Sequence, residues 1–188
     1  MANFRVTIDR EPYSAKPDGK TAGAITNRLK VAEPLTIDSA GFCGLVRQGC
    51  TWVPGCYGGS DMQPGNFESL QLCAVDIDNA EEVDGEKRHL VDGEPGFMSR
   101  QAAFERCQLF DLEPLCIYET FSSSEEHPRF RIVFDLGEPV TDYKTACDAI
   151  ACLLAAFPEA DQACKNPNRL FFGSNGQVWE RPAGGWFE

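Results

Sequence analysis

The chain has 188 residues, of which 43% are hydrophobic, and its 17 basic and 29 acidic residues give a formal net charge of −12. A hydrophobic fraction of this size can form a core, which excludes a disordered chain. No apolar run reaches the roughly 18 residues of a membrane span and no signal peptide is evident, so we expect an intracellular, cytoplasmic protein without a membrane partner. The acidic charge excludes a broad basic surface, so a polyanion would have to meet a local basic patch or bound metal ions.

The first part of the sequence predicts short strands and helices. Residues 3–9 predict an edge strand, and residues 21–31 and 36–49 predict two short helices, the second ending at Gly49. Residues 50–66 are rich in Gly and Pro and predict a loop around one short strand. Residues 68–78, "ESLQLCAVDID", are largely apolar and predict a strand in the centre of a sheet.

The second part of the sequence begins with a charged segment, residues 79–96, which predicts an exposed loop with His89 in solvent. Residues 99–110 predict a helix capped by Ser99, and residues 141–157 predict a longer helix with apolar residues at 3- and 4-residue spacing. Strands are predicted at residues 113–123 and 128–136. The final predicted elements, at residues 169–174 and 176–180, form a hairpin around Asn175 and Gly176.

This interleaving of strands and helices predicts an α+β (mixed α/β) fold with a mixed sheet. We expect a single domain over residues 1–188. If it has two lobes, they comprise residues 1–80 and 98–188, joined by the charged segment. The polar ending of the sequence would suit the N-terminal part of a longer replication protein.

Nine cysteines are scattered along the chain without a C-x-x-C pair. Most, including Cys152, have apolar neighbours and are expected to be buried, reduced thiols. Zinc binding by Cys43, Cys50 and Cys56 with a distant fourth ligand is the alternative, although their spacing fits no standard zinc pattern.

Two acidic residues, Asp76 and Asp78, end the apolar strand. Side chains two residues apart on a strand point to the same face, so these carboxylates are expected to lie together. They are hard oxygen ligands suited to Mg²⁺ or Mn²⁺ bound to substrate phosphates. The alternative is that they only mark the start of a loop or cap a helix.

A cationic strand face is predicted in "SSSEEHPRFRIVFDL". His127, Arg129 and Arg131 alternate with three apolar residues, so one face offers donors that match phosphate oxygens and the other joins the core. The alternative is an amphipathic strand with its charges in solvent. Asp161 and Arg169, which follow the long helix, are further candidates, and Asp135 is a rival to Asp161 for a third carboxylate.

Taken in order, the strand ending in "DID", the segment "HPRFRIVF" and the segment "DQACKNPNRLFFG" resemble the archaeo-eukaryotic primase superfamily. Within it, the sequence resembles the primase–polymerase (prim-pol) catalytic domains of phages and mobile elements. The matching region runs from about residue 70 to residue 175. The resemblance implies a two-lobed fold with an RRM-like unit and an active site in the cleft between the lobes.

The resemblance also implies roles for individual residues. Catalytic carboxylates that bind two metal ions would be Asp76, Asp78 and Asp161. His127 matches the family histidine that binds the nucleotide phosphates, although Glu125 occupies the usual serine position and Ser124 lies three residues before the histidine. Arg129 would be an added phosphate ligand, with Arg131 and Arg169 as companions.

The function implied is that of a DNA primase or polymerase, a nucleotidyltransferase that makes or extends primers in phage, plasmid or other mobile-element replication. Its cofactor would be Mg²⁺ or Mn²⁺, its substrates nucleoside triphosphates and a single-stranded DNA template, and its partner a fused or separate helicase. Alternatives are a non-catalytic nucleotide-binding relative, a replication-partner module and a metal-dependent nuclease. Nucleotide type, template motif, oligomeric state and de novo priming stay open.

Overall fold

Helices and strands alternate along residues 3–186, the residues that this computed structural model describes. Four α-helices are α1 (Gly19–Leu29), α2 (Ser39–Arg47), α3 (Arg100–Leu109) and α4 (Tyr143–Ala156), and a short 3-10 helix spans Pro64–Asn66. The strands are β1 (Phe4–Asp9), β2 (Leu35–Ile37), β3 (Thr51–Val53), β4 (Gly55–Tyr57), β5 (Phe67–Ile77), β6 (Ala80–Val83), β7 (Glu86–His89), β8 (Pro114–Glu119), β9 (Phe130–Val140) and β10 (Val178–Glu180). Each α-helix begins after a side chain that accepts a backbone hydrogen bond from the first turn, namely Asp18, Asp38, Ser99 or Asp142.

Three antiparallel sheets organise the chain, with strand orders β2-β1-β3, β10-β8-β9-β5-β4 and β6-β7. The fold is therefore α+β as predicted, but the expectation of a mixed sheet is wrong for the described strands. β5 and β8 run in the same direction with α3 between them in sequence, but β9 lies between them in the sheet. This is the split βαβ arrangement, in which an interleaved sequence gives antiparallel neighbours.

Strand β5 is buried on both faces, which explains its nearly continuous apolar sequence. Cys73, Val75 and Ile77 belong to a core that includes apolar residues of α3 and α4. Leu72 and Ala74 belong to a second core, which the three-stranded sheet and α2 complete. The acidic residues at the end of the strand follow on this second face, so the packing of Leu72 and Ala74 directs their side chains to the same side of the sheet.

The N-terminal elements differ from the predictions in three places. β1 is a strand but lies between β2 and β3, so its predicted edge position is wrong. The segment at 36–49 begins with β2 and only then forms α2, and residues 50–66 contain two short strands instead of one. Both errors arise because strands of three residues are too short to show a periodic pattern. The predicted end at Gly49 is confirmed by its φ of 84°.

The charged segment is not the predicted loop, because residues 80–89 form an antiparallel ribbon of β6 and β7. Its two-residue turn consists of Asp84 and Gly85, which have φ angles of 54° and 81°. An Asp-Gly pair suits this turn because both positions need positive φ. The sequence thus carried a hairpin signal at this turn.

The predicted helices at 99–110 and 141–157 and the strands at 113–123 and 128–136 are confirmed as α3, α4, β8 and β9. The predicted hairpin at 169–180 is wrong, because β10 pairs with β8. Phe171 instead forms an isolated bridge with Trp52 and is buried against its ring, at a centroid distance of 5.1 Å. Burial of this aromatic pair draws the segment away from β10.

Strands from both sides of the charged segment share the five-stranded sheet. The predicted division into two lobes stays a prediction.

No helix within residues 3–186 has the length and apolar character to cross a bilayer. Cys43, Cys50 and Cys56 are buried, whereas Cys152 is exposed, which corrects its predicted burial. Cys152 lies on the face of α4 away from the buried Ile150 and Leu153.

A candidate active site at the end of strand β5

A cleft of about 590 Å³, including its open mouth, lies at the end of β5. It brings together six of the eight site residues that the sequence indicated. These are Asp76, Asp78, Asp161, Arg129, Arg131 and Arg169. The remaining lining residues are Lys16, Thr120, Phe121, Ser122, Leu170 and Phe172. His127 and Ser124 do not line the cleft.

The acidic residues reach this cleft from two elements. Asp76 follows Ala74 on its face of β5, and Asp78 follows directly after the strand ends. Asp161 lies after α4, and its backbone N–H donates to the carbonyl oxygen of Asp76 at 2.8 Å. This hydrogen bond holds the segment after α4 beside the end of β5, so residues far apart in sequence share one site.

Each of the three carboxylates is paired with a basic side chain. Arg131 contacts Asp76 at 3.0 Å, and Arg169 contacts Asp161 at 3.2 Å. Asp78 is paired at 2.5 Å with Lys87, which the β6–β7 ribbon contributes. The like charges at the end of β5 are therefore balanced within the protein.

Asp76 is the most buried of the three, with 7% of its surface exposed. Burial raises its pKa; Arg131 opposes this, while Asp78 and Asp161 raise the pKa further, so the net shift is upward. One oxygen, Oδ2, accepts from Arg131, but the buried Oδ1 has no hydrogen-bond partner among the described residues. A buried carboxylate oxygen without a donor is costly unless a proton, water or cation satisfies it.

This donor set fits a hard divalent cation, since carboxylate oxygens are its preferred ligands. The side chains of residues 3–186, as they stand, include no group of three His, Cys, Asp or Glu placed to hold a metal. Lys87 and Arg169 each occupy an oxygen of Asp78 and Asp161, so a cation there would compete with them. Burial raises the pKa of Asp78, but Lys87, Arg129 and Arg131 outweigh it and lower the pKa, which favours the charged form.

Arg131 is held inside the protein and is paired across the sheet with Asp76. Its Nη1 donates to the carbonyl oxygen of Phe172 at 2.6 Å, and its guanidinium lies 5.3 Å from the ring of Phe171. Burial lowers its pKa, but Asp76 and Tyr118 reverse this and raise it, so the guanidinium stays charged. Arg131 is placed to orient Asp76 rather than to reach into solvent.

Arg129 lines the cleft, whereas His127 lies beside it. The imidazole of His127 contacts that of His89 in a tilted arrangement, with ring centroids 4.7 Å apart. His89 Nδ1 lies 2.9 Å from Arg129 Nη2, so the ribbon residue that was expected in solvent joins this cluster. Ser124 Oγ accepts from the backbone N–H of His127 at 3.1 Å, which gives Ser124 a turn-forming contact.

Asp135, the rival third carboxylate, lies further along β9 and does not line the cleft. Its Oδ1 accepts from Gln71 at 3.1 Å and from the backbone N–H of Gly137 at 2.9 Å. Sequence reasoning missed Lys16, Lys87 and His89 at the site. The Asp-Gly turn could have revealed a ribbon carrying Lys87 and His89, but no sequence signal places Lys16.

The similarity of this chain to known proteins lies in its structure rather than in its sequence. No protein-family model matches the chain, and no curated protein matches it. Among solved structures, the AEP domain of the cyanophage S-2L primase-polymerase (PrimPol) is similar with a TM-score of 0.47 and 15% identity. The match covers 96% of this chain and 80% of that chain.

Proposed function

We propose that this chain is a metal-dependent nucleotidyltransferase of the archaeo-eukaryotic primase superfamily, with the activity of a prim-pol catalytic domain. The observation that carries this proposal is the shared cleft, in which three carboxylates and three arginines meet and the buried Asp76 Oδ1 lacks a donor. Carboxylates that bind cations and guanidinium groups that bind phosphates are the two components that phosphoryl transfer needs.

In this proposal the carboxylates bind the metal ions and the arginines bind the phosphates or orient a carboxylate. Asp76 and Asp78, with Asp161 as the third carboxylate, would hold Mg²⁺ or Mn²⁺. When bound, two such ions stabilise the attacking and leaving oxygens of an in-line displacement. Arg129 and Arg169 provide donors for the triphosphate, and Arg131 fixes the orientation of Asp76 through the buried ion pair.

The partners follow from the same proposal. A single-stranded DNA template would provide the sequence to copy, and nucleoside triphosphates would be the substrates. Because the chain carries a net charge of −12, a fused or separate helicase that delivers the strand would offset its weak attraction for DNA. We place this activity in phage or mobile-element replication.

The test is incorporation of labelled nucleotides on single-stranded DNA, with and without a primer, in Mg²⁺ and in Mn²⁺. We expect Asp78→Asn and Asp161→Asn to reduce incorporation by roughly 100-fold or more, because each removes a charged metal ligand. Asp135→Asn is the matched control, since it removes the same charge outside the cleft, and it should keep at least half of the activity. Loss of less than tenfold in Asp78→Asn would contradict the catalytic assignment.

A non-catalytic nucleotide-binding protein is the second candidate. The observation that favours it is that Lys87, Arg131 and Arg169 already neutralise the three carboxylates without a metal. Nucleotide binding without extension on any template would support this candidate. Degradation of DNA without added nucleotides would instead indicate the nuclease alternative.

A further inference from the structure

We propose that His89, carried by the β6–β7 ribbon, is a further phosphate-binding side chain that holds the terminal phosphates of the triphosphate beside His127 and Arg129. This inference rests on the proposed function, which it deepens by adding a residue from the ribbon to the substrate site.

The ribbon presents one face to the site. Lys87 and His89 are two residues apart on β7, so their side chains point the same way. Lys87 contacts Asp78, and His89 contacts Arg129 at 2.9 Å and lies against the ring of His127. Arg88, between them, instead pairs with Glu81 at 2.7 Å and Glu94 at 2.8 Å. The two contacts made by Lys87 and His89 hold the ribbon at the edge of the cleft.

The cluster of His89, His127 and Arg129 contains nitrogen donors without a carboxylate. Arg129 forms no ion pair with an acidic residue among residues 3–186, although Arg131 and Arg169 each do. Two nitrogen atoms of the cluster, His127 Nδ1 and Arg129 Nε, are buried and have no hydrogen-bond partner in the described part of the chain. Burial of His89 lowers its pKa, and the adjacent Arg129 and His127 lower it further.

A phosphate anion fits these unpaired nitrogen donors and the unpaired Arg129 charge better than a metal ion or a nucleobase does. Each phosphate oxygen accepts hydrogen bonds, and its negative charge balances neighbouring cationic groups. A metal ion is unfavourable beside the Arg129 guanidinium, since like charges repel. A nucleobase has no room between the two imidazole rings, because they already contact each other with centroids 4.7 Å apart.

The position of the cluster indicates which phosphates it binds. Arg129 lines the cleft with Asp78, whereas His89 and His127 do not line the cleft and lie against Arg129 and each other. A triphosphate whose reacting end lies at the carboxylates would extend past Arg129. Its terminal phosphates would then meet the two imidazoles.

Inorganic tripolyphosphate is the probe, used with the full chain and without metal, template or nucleotide. The sequence contains only two histidines, so the ring carbon–proton spectrum has one set of signals for each imidazole. We expect both sets to shift on titration at pH 6.5, and the His89 signals to shift also in His127→Ala. His89 signals that stay unmoved in the wild-type chain would overturn the proposal.

Calorimetry measures the affinity of the chain and its variants for tripolyphosphate. His89→Ala should weaken tripolyphosphate binding roughly tenfold, the size of one charge-assisted hydrogen bond. Arg88→Gln is the matched control, because it removes a charge from the same strand on the opposite face, and it should change the affinity less than twofold. Equal affinity in His89→Ala and the wild type, or equal loss in Arg88→Gln, would overturn the assignment. His89→Gln is measured in parallel, so that a folding defect in the alanine variant does not decide the result.

These measurements separate the inference from the proposed function. A chain that binds tripolyphosphate through His89 but never extends a primer would leave the inference standing and remove the polymerase assignment. A chain that polymerises, but whose His89→Ala variant binds tripolyphosphate normally, would support the polymerase assignment and remove the inference about His89.

Discussion

Replacement of Asp76 by alanine is expected to weaken the folded state as well as any activity. The change removes the acid partner of Arg131, whose side chain is only 9% exposed and contacts Asp76 at 3.0 Å. Arg131 would remain charged inside the protein, since no other carboxylate within residues 3–186 forms an ion pair with it. An activity assay of this variant alone would therefore confuse loss of chemistry with loss of fold.

The size of the effect follows from this burial. Removing one member of a buried pair costs about 3–5 kcal/mol because the remaining charge is uncompensated. Unfolding free energies are commonly about 5–15 kcal/mol, so this loss is a large fraction of the total. Asp78, in contrast, is 32% exposed and its partner Lys87 is 53% exposed. Exposed pairs contribute about 0–1 kcal/mol, so Asp78→Ala should be nearly neutral for folding.

Urea unfolding followed by far-ultraviolet circular dichroism measures the difference. We expect Asp76→Ala to lose about 3–5 kcal/mol and Asp78→Ala less than about 1 kcal/mol. The double variant Asp76→Ala with Arg131→Met should recover at least half of the loss, because it removes the stranded charge. The reasoning is refuted if Asp76→Ala unfolds within about 1 kcal/mol of the wild type.

Three further predictions concern other contacts. Ser99→Ala removes the cap of α3 and should cost about 1 kcal/mol, measured as a fall in Tm of about 2–4 °C; an unchanged Tm contradicts it. Burial raises the pKa of Glu159, but the hydrogen bonds and charge of Arg106 help to outweigh it and lower the pKa below its ordinary 4.5. The stability from this pair, roughly 1 kcal/mol, is present above pH 4.5 and is lost as the pH falls through the lowered pKa, so the difference in unfolding free energy between Glu159→Gln and the wild type should be largest at pH 7 and shrink as the pH falls below 4.5. Lys87→Met should tighten Mn²⁺ binding by roughly tenfold in calorimetry, since the ammonium no longer competes for Asp78; unchanged affinity counts against a cation at this carboxylate.

Strand alternation is a local rule, and it predicted the faces of two polar residues of the cleft. Asp76 and Arg131 each occupy a face that could be read from spacing, and the structure pairs them across β5 and β9. The prediction that Arg131 and its apolar neighbours in sequence lie on opposite faces of the strand is therefore confirmed. The same rule explains why the β5 strand itself was correctly located.

What the sequence left open depends on contacts between distant segments. The sequence named Asp161 as the third carboxylate through the resemblance and left Asp135 as a rival, and the backbone hydrogen bond from Asp161 to Asp76 holds Asp161 at the cleft. Lys87 and His89 were missed because their position depends on the ribbon folding back onto Asp78 and Arg129. The hairpin at 169–180 was wrong because the packing of Phe171 on Trp52 has no local signature.

The charge distribution of the cleft has a consequence for association kinetics. Four basic and three acidic side chains line it, whereas the whole chain carries −12. Beyond a Debye length of about 8–10 Å, an approaching polyanion meets net repulsion, and only inside that distance does it meet the arginines. Added salt shortens the range of the repulsion, so moderate ionic strength should speed the encounter with DNA. Binding that is slow in dilute buffer and faster at intermediate salt would be the kinetic signature of this distribution.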